Sequence, residues 1–168
     1  MSVEDELNEL ARAREAAADA ALSDMLLEAP HLLRKRLRAY LFRQLDKGRF
    51  PRVDEKLPEL RTIDRSNELI YPEIEFSSGA RLQFNIQLEQ LQRGTLMTQF
   101  QFHLQLPDGR SLRRIRIELN PEGSRDPFTV PRCHLHVDNS QAHVPFPIMS
   151  PLLILHLICE HIEADFGT

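Results

Sequence analysis

The sequence predicts an α+β fold: an antiparallel β-meander of four to five strands packed by a C-terminal helix, with an N-terminal helical appendage. Three observations predict it. Apolar residues recur at helical spacing through the first fifty positions, the period changes to two between residues 81 and 119, and a capped apolar-periodic segment follows Ser150. At 168 residues the chain fits one domain of ordinary size, with enough apolar content to bury a core.

Residues 3–28 are rich in Ala, Leu and Glu, contain no Gly or Pro, and read as a helix. Its apolar stripe is thin, with Leu7 and Leu10, then mostly alanine until Leu22, Met25 and Leu26, so it needs a partner surface. Pro30 interrupts. Residues 31–47 then form an amphipathic helix with Leu33, Leu37, Tyr40, Leu41 and Leu45 on one face and Arg34, Lys35, Arg36, Arg38 and Arg43 on the other, closed by Gly48. Residues 1–50 are therefore the helical appendage, 51–70 a connector mixing prolines with charges, and 71–168 the core domain.

In the core, a short strand is expected near residues 73–76. "ARLQFNIQLEQ" alternates Leu82, Phe84, Ile86 and Leu88 with polar residues, the pattern of a half-buried strand. "TQFQFHLQL" repeats it with Phe100, Phe102, Leu104 and Leu106, and Pro107-Asp108-Gly109 supplies the turn to "SLRRIRIEL". A loop with Pro121, Gly123 and Pro127 leads to "RCHLHV", where parity puts Cys133, Leu135 and Val137 inward and His134 and His136 outward, towards water. Ser150 is a good N-cap with Pro151 behind it, and Leu152, Leu155, Ile158, Cys159 and Ile162 give the last helix an apolar face.

The net charge of −4 is mild but unevenly spread. Residues 1–29 carry eight acids and two bases, whereas residues 30–52 carry eight bases against Asp46 alone. Either the two blocks neutralise each other, or the basic helix faces nucleic acid while the acidic arm mimics it or meets a partner. Two cysteines in dissimilar contexts give no disulfide framework. With an acidic N-terminus and no apolar run near the roughly 20 residues a bilayer requires, the chain reads as soluble and cytoplasmic, without a membrane association.

Residues 132–145 hold one cysteine and three of the seven histidines. His134 and His136 stand two apart on one strand face, with His143 in the following loop and Glu118 and His103 on neighbouring strands. Any strand face with two histidines produces an H-x-H pair, and no metal or cofactor is assigned. Arg114, Arg116, His134 and His136 on one face instead combine cations for a phosphate with imidazoles for proton transfer, the needs of a metal-independent nuclease. Cys133 and Cys159 read as packing, and His156 with Glu160 as a surface pair four residues apart.

From residue 78 to about 165, the order "SGARLQF", "FQFHLQLPDG", "RIRIELNP", "VPRCHLHV" and "SPLLILHLICEHI" resembles the TumE-type toxin family of bacterial toxin–antitoxin systems. That pattern has a glycine-led strand, a histidine-bearing strand, an arginine-led strand running into Asn-Pro, a proline–histidine segment and a final helix. The family's arginine-led strand tends to read Arg-Tyr-Asp-Asn where this chain has Arg116-Ile117-Glu118-Leu119-Asn120, and its paired histidines are here split by Leu135. The resemblance implies a toxin-like or defence-associated protein acting on RNA, with His134, His136, Arg116 and Glu118 catalytic. Arg34, Lys35, Arg36, Arg38 and Arg114 are the candidate nucleic-acid contacts, and a cognate protein partner, an antitoxin or a complex subunit, is expected, with a homo-oligomer compatible. The alternative is a noncatalytic adaptor that docks a partner through its N-terminal helices.

Overall fold

A computed structural model describes residues 2–25, 27–63, 66–109, 112–123, 126 and 129–163. Leu26 of the first apolar stripe and Pro127 of the long loop lie outside the described residues. The element order is α1 (Val3–Asp24), α2 (Pro30–Asp46), seven strands, and α3 (Pro151–Leu157), which runs into a π-helical turn, Ile158–Ile162. The strands are β1 (Glu59–Ile63), β2 (Ser66–Glu75), β3 (Arg81–Leu91), β4 (Gly94–Gln105), β5 (Arg114–Leu119), β6 (Cys133–Val137) and β7 (Val144–Pro145). They form one sheet in chain order, every neighbour antiparallel.

The fold is thus α+β, with an antiparallel meander, N-terminal helices and a C-terminal helix as expected, but with seven strands instead of four to five. The additional pairings come from segments without alternation. β1 is a polar edge strand whose residues are mostly exposed, and it occupies part of the stretch expected as a connector. β2 is ten residues long and extends well before residue 73. Its register shifts between Tyr71 and Ile74, around Pro72, which has no N–H for the ladder, and that bulge breaks the period of two. β7 has only two residues.

α1 starts with a capping box: Ser2 Oγ accepts from Asp5 N at 3.1 Å, and Ser2 N donates to Asp5 Oδ2 at 2.9 Å. Glu4, Asp5 and Glu6 add charge where the helix dipole favours it. The helix stops at Asp24, four residues short of expectation, because Leu27 pairs its backbone with Thr95 of β4, N to O at 2.8 and 3.1 Å. α2 has Pro30 in its first turn and buries Leu33, Leu37, Tyr40 and Leu41, and Gly48 ends it at φ 75.

One face of the sheet carries the core. Phe84, Phe102 and Ile117 lie opposite one another across β3, β4 and β5, followed by Leu135 on β6. The Phe84 and Phe102 rings stack with centroids 5.3 Å apart. Leu22 of α1, Leu37 and Leu41 of α2, and Ile154, Leu155 and Ile158 of the C-terminal segment join the same cluster. The helices therefore cover the apolar face, and the other face stays polar.

The acidic and basic blocks neutralise each other little among the described residues. Arg36 pairs with Glu28 at 3.1 Å, but Glu15 and Asp19 of α1 hold Arg132 at the start of β6, and α2's surroundings reach the C-terminal segment. Glu160 accepts from Gln44 at 2.9 Å, Lys47 at 2.6 Å and Arg49 at 3.2 Å, while Tyr40 Oη lies 3.2 Å from His156 Nδ1. His156 and Glu160 are thus contacts between α2 and the last helix, not a surface pair of their own. The hydrogen bonds from Lys47 and Gln44 hold the Glu160 carboxyl at about 2, below its ordinary 4.5. A lowered carboxyl contributes stability that is fully present above its unfolded value and lost as pH falls through its folded one. Glu160→Gln should therefore lower the melting temperature at neutral pH and flatten its decline between about pH 5 and pH 2, as read by thermal denaturation across that range.

Candidate functional site

The polar face of the sheet is organised in cross-strand rows. One row runs Arg81, Gln105, Arg114 across β3, β4 and β5; the next runs Gln83, His103, Arg116, His136 onto β6; the third runs Asn85, Gln101, Glu118, His134. Residues directly opposite on antiparallel strands have their side chains within contact range. Strand pairing alone therefore gathers three arginines, three imidazoles and a carboxylate.

The first row and the β3, β4 and β5 members of the second line a cleft of about 490 Å³ together with Glu73 and the turn residues Asp138, Asn139, Ser140 and Gln141. Asp138 forms the corner of that wall. It adopts φ 54, which a short polar side chain tolerates, and its Oδ1 accepts from the backbone N–H groups of Arg113 at 2.6 Å and Arg114 at 3.0 Å. Its charge is thereby spent on the backbone at the start of β5. Arg81 stands 3.9 Å from Glu73, both half-exposed, a pair of little energetic weight.

Glu118 joins the cleft to the histidines behind it. Its Oε1 faces His103 Nε2 and Arg116 Nη1, each at 3.5 Å, and its Oε2 faces His134 Nε2 at 3.4 Å and His136 Nε2 at 3.6 Å. Hydrogen bonding from His103 and then His134, helped by Arg116 and His136, holds its carboxyl well below the usual carboxylate range against the opposing effect of burial. His136 is shifted down, first by burial and then by Arg116, which favours the neutral ring.

The structure confirms the side of the strand on which these histidines lie but not their exposure. Cys133, Leu135 and Val137 face the core side opposite Leu119, Ile117 and Ile115, and His134 and His136 lie on the other side opposite Glu118 and Arg116. Yet His134 is 1% and His136 5% exposed, whereas Val137 at the strand's end is 38% exposed. The chain after β6 turns back to pair Val144 with Leu135 and Pro145 with His134, and this lays His143 over both rings. Water was expected there; a third imidazole occupies the place. The solvent-accessible imidazole is instead His103, whose side chain is 42% exposed in the cleft.

Arg116, Glu118, His134 and His136 are brought together, and Arg114 lies at the cleft's rim. The cations of α2 are not part of this site, since α2 packs on the apolar face. Arg34 donates to the carbonyls of Pro58 at 2.6 Å and Lys56 at 2.7 Å, holding the chain ahead of β1, and Arg36 is engaged by Glu28. Lys35 is exposed and Arg38 half-buried. Burial pushes the Cys133 and Cys159 thiols up to about 12, in keeping with packing roles. Arg81, Gln83 and Asp138 are site residues that the sequence reading does not name; the matched polar phase of β3 and β4 across their turn is the usable signal for Arg81 and Gln83, and Asp138, in the turn after β6, carries none. On α1, Val3, Leu7 and Leu10 are exposed at helical spacing.

Comparison with protein-family models, curated proteins and solved structures gave no match. No helix among the described residues is long and apolar enough to cross a membrane. Fold and site together define an α+β protein with an arginine-lined cleft on the open face of its sheet.

Proposed function

We propose that the protein binds RNA through this cleft and cleaves it without a metal ion in the chemical step. The observation that carries the reading is the convergence of Arg81, Arg114 and Arg116 with the accessible His103 in one cleft. Arginine presents several donors in a planar fork suited to phosphate oxygens, and the cleft volume is in the range that holds a small ligand. His103 directs Nε2 at Glu118, which favours the proton on that nitrogen and leaves Nδ1 as an acceptor. Nδ1 would take the proton of a ribose 2′-hydroxyl as that oxygen attacks the adjacent phosphorus; the P–O5′ bond breaks, and the departing 5′-oxygen would take a proton from water, leaving a 2′,3′-cyclic phosphate. Arg116 and Arg114 would oppose the charge that develops on the phosphoryl oxygens.

This assigns the base to His103, while the buried His134 and His136 support the site through Glu118. The cellular setting we propose is the one implied by the TumE-type resemblance: a toxin-like or defence-associated role with a cognate protein partner. The experiment is incubation of the purified chain with defined single-stranded RNA. Products ending in a 2′,3′-cyclic phosphate support the reading; RNA that is bound but recovered whole contradicts its catalytic half.

A further inference from the structure

None of the three histidines behind Glu118 carries a proton in that chemistry, and their arrangement is a cluster of its own. One ring nitrogen from each of His134, His136 and His143 lies within 4.8 Å of the others. The rings meet edge to face with centroids 4.9, 4.8 and 4.4 Å apart. Two of them project from β6, and the two-residue strand β7 returns the third.

We propose that His134, His136 and His143 hold a divalent transition metal of the zinc class, with the Glu118 carboxylate at the fourth corner. Two observations carry this. First, ligands about 2.0–2.1 Å from a tetrahedral zinc stand about 3.3 Å from one another. The Nε2 atoms of His134 and His136 lie 3.4 and 3.6 Å from the same Oε2, near that spacing and well beyond the roughly 2.8 Å of a charge-assisted hydrogen bond. Second, His134 Nδ1 lies 2.7 Å from the carbonyl oxygen of Pro131. Donating there places the proton on Nδ1 and leaves the Nε2 lone pair for a metal, the outer-sphere arrangement common to ligating histidines.

The donor set excludes magnesium, which takes oxygen ligands, and suits zinc or a neighbouring transition ion. Four protein ligands close the coordination sphere, so the ion acts structurally. It ties β6 to the segment after it and so clamps residues 138–143, most of which form the wall of the cleft. The proton transfer proposed for His103 stays outside the metal's coordination sphere, so either proposal can fail without the other.

The test is titration of the metal-free full chain with Zn²⁺ alone by calorimetry, with Co²⁺ absorption reporting tetrahedral coordination and Mg²⁺ as the control ion. One equivalent of Zn²⁺ should bind, and His143→Ala, at a half-buried loop position, should weaken it at least ~10-fold. No binding by the folded wild-type chain, or equal affinity in His143→Ala and His136→Gln, overturns the proposal. Hydrogen exchange on the wild type gives an answer independent of the variants: Zn²⁺ should slow exchange across residues 138–143, and unchanged exchange there with the ion present overturns it as well.

Discussion

His103→Ala should reduce RNA cleavage by about 10²-fold or more while leaving the melting temperature nearly unchanged. Removing a positioned general base costs roughly 10²–10⁴ in rate. The structural cost is small because the His103 side chain is 42% exposed and its contact with Glu118 is 3.5 Å long. Initial-rate assays on a short single-stranded RNA, paired with thermal melts, separate the two effects. His103→Gln, which keeps an amide donor towards Glu118 but cannot accept a proton, should be as inactive as the alanine variant. Rescue of activity by glutamine would move the proton transfer elsewhere.

Phe102→Ala should destabilise the fold by about 3–5 kcal/mol. Phe102 is fully buried at the middle of the sheet, stacked on Phe84 at 5.3 Å and edge-on to Phe100 at 5.8 Å. Truncation removes its burial and leaves a cavity that flanking strands, fixed in register on both sides, cannot close. Domains of this size hold about 5–15 kcal/mol in total, so the variant should lose on the order of 10 °C in melting temperature. Val137→Ala, on the same side of the sheet but exposed, should change stability by less than about 0.5 kcal/mol. Chemical denaturation of both variants decides the matter: a Phe102→Ala loss no larger than that of Val137→Ala would mean that the core does not centre on β3 to β5.

The central meander was legible because β3, β4 and β5 each bury one face only, so the alternation of Leu82, Phe84 and Ile86, of Phe100, Phe102 and Leu104, and of Ile115 and Ile117 survives in the chain. β1 was not legible because an edge strand of polar residues has no apolar phase, and most of β2 was obscured by the bulge at Pro72. The same parity separated Cys133 from His134 and His136 correctly. Parity says which side of a sheet a residue takes but not what lies above it. The burial of both histidines depends on a return by Val144 and Pro145 that two residues of pairing cannot announce. Likewise the row Gln83, His103, Arg116 depends on register, which is fixed by turns as well as by pattern.

The central claim is that RNA occupies the arginine-lined cleft and not the basic stripe of α2, which lies on the helical side of the sheet. The most direct measurement is the salt dependence of single-stranded RNA binding, read by fluorescence anisotropy. Two variants are compared with the parent: Arg81→Ala, Arg114→Ala, Arg116→Ala together, and Lys35→Ala, Arg36→Ala together. Each phosphate neutralised on a single strand contributes about 0.7 to the slope of log affinity against log salt. The cleft variant should therefore lose about 2 units of slope and most of its affinity, and the helix variant should match the parent. A helix variant that loses binding while the cleft variant keeps it would contradict the account.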